Sequence, residues 1–158
     1  MEDSAGLTSV LGILPNGACP IPGVATAGQP PAAAWAELAA AGYRTVVDLR
    51  APEEPRDHDE PEAVRNAGLE YIAIPVQLQT LGDAEFSAFR EVMRDASRRP
   101  IMVHCATSNR VGALLLPYFA LDEGYSLRDA TAMAVDAGLR NAELQAIALD
   151  YARRTGAR

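Results

Sequence analysis

The sequence contains no lysine: all 14 basic residues of the 158-residue chain are arginine. This absence excludes Schiff-base chemistry and the lysine of a nucleotide-binding P-loop. Acidic residues are in excess, with a formal net charge of -7. Because a nucleic-acid backbone is bound by clustered positive charge, we expect no nucleic-acid partner.

Cysteine and histidine are also scarce, with only Cys19, Cys105, His58 and His104 present. Two cysteines cannot form a disulfide framework, and this set lacks the spacing of a four-ligand zinc site. We therefore expect a reduced compartment, no metal and no organic cofactor. The acidic start lacks the positive charge of a signal peptide, and no apolar run reaches the roughly 20 residues that cross a bilayer. These features predict a cytoplasmic protein without a membrane partner.

The order of the predicted elements indicates an α/β fold. Residues 1–22 are rich in proline and glycine, and they are interpreted as an N-terminal arm before a single domain, residues 23–158. Apolar strands then alternate with helices, which predicts a mostly parallel central sheet flanked by helices. The strands are expected at 24–26, 45–49, 71–74 and 101–103, and the helices at 31–41, 62–67, 84–97, 111–121, 126–137 and 141–154.

One segment concentrates the reactive groups, and it connects the third buried strand to an apolar helix. Its sequence is His104-Cys105-Ala106-Thr107-Ser108-Asn109-Arg110. A tight strand-to-helix turn places a thiol beside backbone N–H groups and a helix N-terminus, which bind anions and favour a thiolate. Arg110 adds a two-pronged donor for a phosphate or a sulfate-like group. Because the loop has no glycine, we expect Asn109 to occupy any position with positive φ.

These residues resemble the signature of the cysteine-dependent protein tyrosine and dual-specificity phosphatases. Residues 25–30 and 41–50 look like the bacterial phosphatase-like domain that is also found fused to β-lactamase-like hydrolases, so the resemblance runs from about Ala25 to Leu139. It implies a dual-specificity-phosphatase-like catalytic domain that hydrolyses phosphate monoesters of a phosphorylated protein or small molecule. It also implies that Cys105 is the nucleophile of a thiophosphate intermediate. The phosphate would be held by Arg110 and by the loop amides of Ala106, Thr107, Ser108, Asn109 and Arg110.

The chain departs from this family pattern at the loop. Four residues separate Cys105 from Arg110, whereas the large phosphatase families have five, and four is the spacing of many rhodanese-like sulfurtransferases. The family usually has serine or threonine after the arginine, to help the thiolate leave. Val111 stands there in this chain, which predicts slow hydrolysis of the intermediate. Two alternatives therefore stay open: sulfur transfer through a Cys105 persulfide, and a catalytically weak phospho-recognition module.

No carboxylate lies in an unmistakable motif for the general acid, which in the resembled family is an aspartate on a movable loop. Asp83 is the first candidate, although its position also suits the N-cap of the following helix. Asp57 and Asp59, in the acidic loop at 50–61, are alternatives. A substrate whose leaving group needs no proton is a further alternative.

The remaining polar residues are interpreted more simply. The side chain of His104 is expected on the opposite face of the sheet from Cys105, supporting the loop by hydrogen bonding. Cys19 is interpreted as an incidental thiol, with a redox partnership to Cys105 as the alternative. The acidic loop is interpreted as solvated, although the carboxyl end of a parallel strand also places it on a binding rim. Residues expected in the core include Trp35, Phe86, Phe89 and Tyr118.

Overall fold

The computed structural model describes residues 4–158, whose centre is a five-stranded sheet with the order β1-β2-β5-β3-β4. Its strands are β1 (Ala18–Ile21), β2 (Val24–Ala27), β3 (Thr45–Asp48), β4 (Glu70–Ala73) and β5 (Ile101–His104). β1 runs antiparallel to β2, whereas β2, β5, β3 and β4 run parallel to their neighbours. The predicted mostly parallel α/β architecture is therefore confirmed.

Helices cover both faces of this sheet. They are α1 (Ser4–Ser9), α2 (Ala34–Ala40), α3 (Glu60–Asn66), α4 (Asp83–Arg94), α5 (Asn109–Leu121), α6 (Leu127–Asp136) and α7 (Ala142–Arg154). Buried residues from α4 to α7 form one core cluster with one face of the sheet, and buried residues of α2 and α3 form a second cluster on the other face. The four predicted aromatic core residues are at most 1% exposed, which confirms them as core.

The central strand β5 divides its side chains between these two cores. Val103 and Cys105 belong to the α4–α7 core, whereas Met102 belongs to the core of α2 and α3. This alternation is the ordinary geometry of a strand, in which successive side chains point to opposite faces. Since helices cover both faces, the strand is apolar at consecutive positions and buried throughout.

The segment predicted as an arm is folded onto the domain. α1 and a 3-10 turn at Val10–Ile13 precede β1, and the Tyr43 hydroxyl donates to the Leu7 carbonyl at 2.9 Å. Strand β1 was not predicted, because its segment is rich in proline. As an edge strand, β1 accommodates Pro20, since the N–H groups on its outer side need no strand partner. Residues 1–3 of the predicted arm, with the acidic start, lie outside the described residues.

Two helix starts show where local patterns succeeded and failed. Ser126 caps α6, accepting a hydrogen bond from the Asp129 N–H at 3.0 Å, as its spacing predicts. Asp83 does not cap α4 but is its first residue, so that prediction is wrong. The preceding Gly82 is the cap residue, and its N–H donates to the Glu85 carboxylate at 2.8 Å.

Over residues 4–158, no helix has both the length and the apolar character of a membrane span.

Candidate active site

Cys105 lies at the carboxyl end of the central strand, where a ligand is expected in a parallel sheet. The residue is fully buried, and its N–H donates to the Ala27 carbonyl on the adjacent strand at 3.3 Å. Residues 105–110 then turn directly into α5. The predicted strand-loop-helix arrangement around the thiol is thus present.

Two loop carbonyls after Cys105 are bound by residues outside the loop. The Ala106 carbonyl accepts from the Gln29 N–H at 3.1 Å, and the Thr107 carbonyl accepts from the Asn16 side chain at 3.4 Å. These contacts tie the loop to the segments that carry Gln29 and Asn16.

The prediction that Asn109 takes the positive φ is wrong, because Ser108 has this conformation, with φ of 73°. Asn109 is instead helical, and its Oδ1 accepts the N–H groups of Arg140 at 2.8 Å and Asn141 at 3.1 Å. Gly138 packs against the same turn: a β-carbon there would lie 2.6 Å from the Ser108 β-carbon. The turn between α6 and α7 therefore fixes the shape of the cysteine loop.

Arg110 lies in the first turn of α5, and three hydrogen bonds fix its guanidinium. Its guanidinium donates to both carboxylate oxygens of Glu54, at 2.7 and 2.8 Å, and to the Val76 carbonyl at 3.1 Å. The Glu54 hydrogen bond is the main cause of the raised pKa of Arg110, and interactions with the Cys105 side chain, including a hydrogen bond, raise it further. The guanidinium therefore lies beside the cysteine side chain.

Arg110 opens onto a cavity of about 410 Å³. Its lining consists of Glu54, Gln77, Leu78, Gln79, Arg110 and Leu144. A second cavity of about 520 Å³ is lined by Ala106 and by four prolines together with Arg50 and Arg56. These two cavities, which both include residues of the cysteine loop, therefore differ in character.

Glu54, the carboxylate that pairs with Arg110, was not singled out from the sequence. Besides Arg110, its carboxylate accepts the Ala51 N–H at 2.5 Å and the Arg50 Nε at 3.3 Å. The hydrogen bond from Arg110 is the largest of the interactions that lower the pKa of Glu54 to about 2. In the sequence, nothing distinguishes Glu54 from the adjacent Glu53; the only signal was the position of their loop after a parallel strand.

A buried polar network lies behind the loop, on the opposite face from Cys105. His104 Nε2 lies 2.6 Å from Glu60 Oε2, and Arg56 pairs with Glu60 at 3.0 Å and with Asp48 at 2.8 Å. The Tyr71 hydroxyl donates to Asp48 at 2.7 Å. Burial raises the pKa of Glu60, but the hydrogen bonds and charges of its partners, His104 first, hold it below its usual value. The predicted placement of His104 opposite Cys105 is confirmed.

This network reaches the cysteine loop through the backbone. His104 Nδ1 lies 3.4 Å from the Cys105 carbonyl oxygen. Asp48, Glu60 and His104 each place one potential ligand atom within 4.8 Å of the others, a spacing that a metal ion accepts. In this arrangement, however, Arg56 supplies positive charge to both carboxylates. The cluster therefore fits the interior support of the loop without a metal.

None of the three aspartates predicted as general acids lines the Arg110 cavity, although Asp57 lines the cavity beside Ala106. Asp83 pairs with Arg154 at 3.0 Å and lines a different cavity. The side chain of Asp57 is 78% exposed and pairs with His58. Asp59 caps α3 by accepting the Glu62 N–H at 3.2 Å.

Cys19 is placed on the edge strand β1. Its Sγ donates to the Ile21 carbonyl at 3.3 Å, and burial raises the pKa of the thiol. β2 lies between β1 and the strand that leads to Cys105. This location favours the interpretation of Cys19 as an incidental thiol.

The fold and the cysteine loop together define a tyrosine/dual-specificity phosphatase-like domain. A family model described as "DSP-PTPase phosphatase fused to NAD+ Kinase" matches residues 23–147. The chain belongs to this family.

Curated relatives and solved structures agree with this assignment. The chain is 33% identical over 100 residues to the Beta-lactamase hydrolase-like protein of Agrobacterium fabrum, covering 61% of this chain and 23% of that protein. The chain thus spans less than a quarter of the length of this relative.

Two solved structures share the fold. A DUF442 protein of Shewanella putrefaciens CN-32 has a TM-score of 0.79 and 22% identity, covering 94% of this chain and 99% of the other. TpbA of P. aeruginosa, solved in complex with pTyr, has a TM-score of 0.67 and 19% identity, covering 85% and 86%. At these identities, the similarity shows the fold alone.

Proposed function

We propose that this protein is a cysteine-dependent phosphatase that hydrolyses phosphate monoesters through a thiophosphate intermediate on Cys105. The observation that carries the proposal is the junction of β5 and α5, where a short strand-to-helix turn brings the Cys105 thiol and Arg110 together. Family membership and the shared fold support the same class of chemistry. TpbA, which has this fold, was solved with pTyr, and this supports a phosphorylated protein or a comparable phosphate monoester as substrate.

Each group has a role in this proposal. The Cys105 thiolate attacks phosphorus, forming an S–P bond as the P–O bond to the leaving group breaks. Arg110 and the N–H groups of residues 106–110 hold the phosphoryl oxygens and stabilise the charge of the transition state. His104 contacts the Cys105 carbonyl through Nδ1 and Glu60 through Nε2, so we assign it a positioning role in fixing the loop.

Sulfur transfer is the second candidate, favoured by the four-residue spacing between Cys105 and Arg110. In this reaction Cys105 would take the outer sulfur of a donor such as thiosulfate, releasing sulfite, and then pass the sulfur to a thiophile such as cyanide. The same loop would hold the sulfite group of the donor. A phospho-recognition module is the non-enzymatic alternative, favoured by Val111 after the arginine.

The test compares wild-type protein with Cys105→Ser, using 4-nitrophenyl phosphate under reducing conditions between about pH 5 and 8. We expect the substitution to reduce turnover by on the order of 1000-fold or more, because the nucleophile is lost. A wild-type burst followed by slow turnover would assign the slow step to hydrolysis of the intermediate, beside Val111.

Other outcomes would replace the proposal. Equal turnover in both proteins would exclude the cysteine mechanism. Cys105-dependent release of thiocyanate from thiosulfate and cyanide, without ester turnover, would establish sulfur transfer. Binding of a phosphotyrosine peptide without turnover in either assay would establish the recognition module. A melting temperature shared by both proteins would show that Cys105→Ser preserves the fold.

A further inference from the structure

The cavity beside Ala106, of about 520 Å³, has no role in the proposed reaction. Most of its walls come from the segments that follow β2, β3 and β5, so it lies at the carboxyl end of these parallel strands. Ala106 directly follows the proposed nucleophile Cys105, and consecutive Cα atoms are about 3.8 Å apart. A phosphate group bound by the cysteine loop therefore brings the adjoining part of its substrate to the edge of this cavity.

The walls of this cavity are largely apolar and rigid. Four prolines line it, and the ring of each proline fixes φ of its own backbone. Ile13 adds an aliphatic side chain, and this residue is 44% exposed. Such a surface can cover the aliphatic part of a long side chain while losing little conformational freedom of its own.

The two arginines of the cavity are already bound within the protein. Arg50 donates from Nη1 to the Gln29 side chain at 2.6 Å and from Nη2 to the Pro55 carbonyl at 2.8 Å. Arg56 pairs with two buried carboxylates of the network behind the loop. The side chains of Arg50 and Arg56 are only 9% and 18% exposed. Neither arginine therefore offers a free guanidinium to an anionic ligand.

The remaining charge in the lining of the cavity belongs to Asp57, whose side chain is 78% exposed. Its hydrogen-bond partner is Nδ1 of His58. His58 Nε2 accepts the Trp35 N–H at 2.9 Å, and because an indole N–H only donates, this Nε2 carries no proton. The His58 ring is therefore neutral, with its proton on Nδ1, and it donates to Asp57. The Asp57 carboxylate is thus hydrogen-bonded but has no positive charge beside it in this pair.

We propose that this cavity is a specificity site, which binds a basic residue adjoining the phosphorylated residue of a protein substrate. The inference deepens the proposed function and rests on it. An arginine matches the cavity best, because its aliphatic stem packs against the prolines while its guanidinium pairs with the Asp57 carboxylate. The formal net charge of the whole chain, -7, attracts a ligand of the same sign.

The test measures kcat/KM for phosphotyrosine peptides that differ at one position. An arginine, a glutamine or a glutamate adjoins the phosphotyrosine, on its N-terminal side in one series and on its C-terminal side in another. Wild type should prefer the arginine peptide to the glutamine peptide by about 2- to 5-fold in at least one series, the size expected for an exposed ion pair. Added salt should shrink this ratio, because it screens exposed charges, and a ratio that salt leaves unchanged would contradict the ion pair.

Variants of Asp57 connect this preference to the cavity. Asp57→Asn removes the charge and keeps the shape of the side chain, so the ratio of the arginine peptide to the glutamine peptide should fall to about 1. Asp57→Arg should favour the glutamate peptide instead. Glu53→Gln is the matched control, since it removes the same charge from an exposed neighbour outside the lining of the cavity. Its ratio should stay at the wild-type value.

Because the peptides share one leaving group, their ratio separates binding from proton transfer. If Asp57→Asn slowed all peptides equally, Asp57 would act on the leaving group or on the fold, and the proposal would be overturned. A wild-type preference for the glutamate peptide would also overturn it and would assign the cavity to Arg50 and Arg56. Equal rates for the three peptides in both series would show that the cavity does not select a substrate.

Peptide binding to Cys105→Ser provides a readout without turnover. Affinities measured by isothermal titration calorimetry should show the same preference for arginine, and a second substitution, Asp57→Asn, should remove it. If wild type hydrolyses no peptide, the proposed function fails, and these affinities still decide whether the cavity selects a basic residue. Intact turnover with equal affinities would overturn the specificity site alone. Neither turnover nor binding would overturn both.

Discussion

Two neighbouring residues at the end of β5 lie in contrasting surroundings. Cys105 belongs to the hydrophobic core cluster under α4–α7. His104, one residue earlier, enters a buried cluster of ionised groups that includes Glu60, Arg56 and Asp48. The cysteine loop is thus supported by hydrophobic packing on one face of the sheet and by charge pairing on the other.

The contrast shows that hydrophobic packing and a buried charge network differ in how well they tolerate substitutions. Apolar packing is non-directional, so the core tolerates changes that keep its volume. A buried charge network depends on every partner, because removing one leaves the others uncompensated in a poorly solvating interior. We therefore expect a change of one atom on the polar face to lower the free energy of unfolding strongly. The loss of a methyl group on the apolar face should lower it only weakly.

The largest effect is expected from Glu60→Gln, which preserves shape but removes the charge beside His104 and Arg56. We expect a loss of about 3–5 kcal/mol in the free energy of unfolding, measured by urea titration. Glu62→Gln is the control, because Glu62 is exposed two residues away, and its effect should be within about 0.5 kcal/mol. Equal effects for the two variants would remove the distinction between the two faces.

Acid should weaken the same contribution. Because the folded-state pKa of Glu60 is lowered, its stabilising contribution is fully present above the ordinary glutamate pKa and is lost as the pH falls through the lowered value. The difference between wild type and Glu60→Gln should therefore shrink as the pH falls. A difference that stays constant into acid would contradict the charge argument.

A smaller effect is expected from Ile101→Val on the apolar face. Ile101 is fully buried in β5 and packs in the same core as Cys105. Removing one methylene should cost about 0.5–1.5 kcal/mol, because of lost burial and an incompletely filled space. The same urea titration measures it, and a loss as large as that of Glu60→Gln would show that both faces are equally specific.

A change of the opposite sign is expected in the loop where the two faces meet. Ser108 has positive φ, and its buried hydroxyl has no hydrogen-bond partner within the part of the chain described. Ser108→Gly should raise the melting temperature, with a gain of about 1 kcal/mol, because glycine adopts this backbone conformation without steric cost. A destabilised variant would indicate that the serine side chain contributes packing that outweighs the strain.

The sequence was sufficient for the features that depend on local pattern. The apolar runs at 45–49 and 101–103 predicted strands, and the Ser126 cap predicted a helix start, because each signal lies within a few adjacent residues. The position of His104 behind Cys105 followed from strand alternation alone. The prediction that Cys105 and Arg110 belong to one site likewise depended only on their spacing in the sequence.

The partners of these groups depend on contacts that are distant in sequence. Glu54 is 56 residues from Arg110, and Glu60 is 44 residues from His104. Both lie in an acidic run whose composition is typical of a solvated loop. The pairing arises because parallel strands bring the end of β3 beside the end of β5, and no local pattern encodes which acid of the run faces inward.

The two glycines that touch the loop have a consequence for protein engineering. A side chain at Gly28 would lie 2.7 Å from the Ala106 carbonyl oxygen, and one at Gly138 would meet Ser108. The hexapeptide 105–110 therefore takes its shape from positions far upstream and downstream of itself. If this hexapeptide alone were grafted into another α/β scaffold, the reactive side chains would be present without the contacts that fix the loop conformation. A successful graft would have to include the segments that carry Gly28 and Gly138.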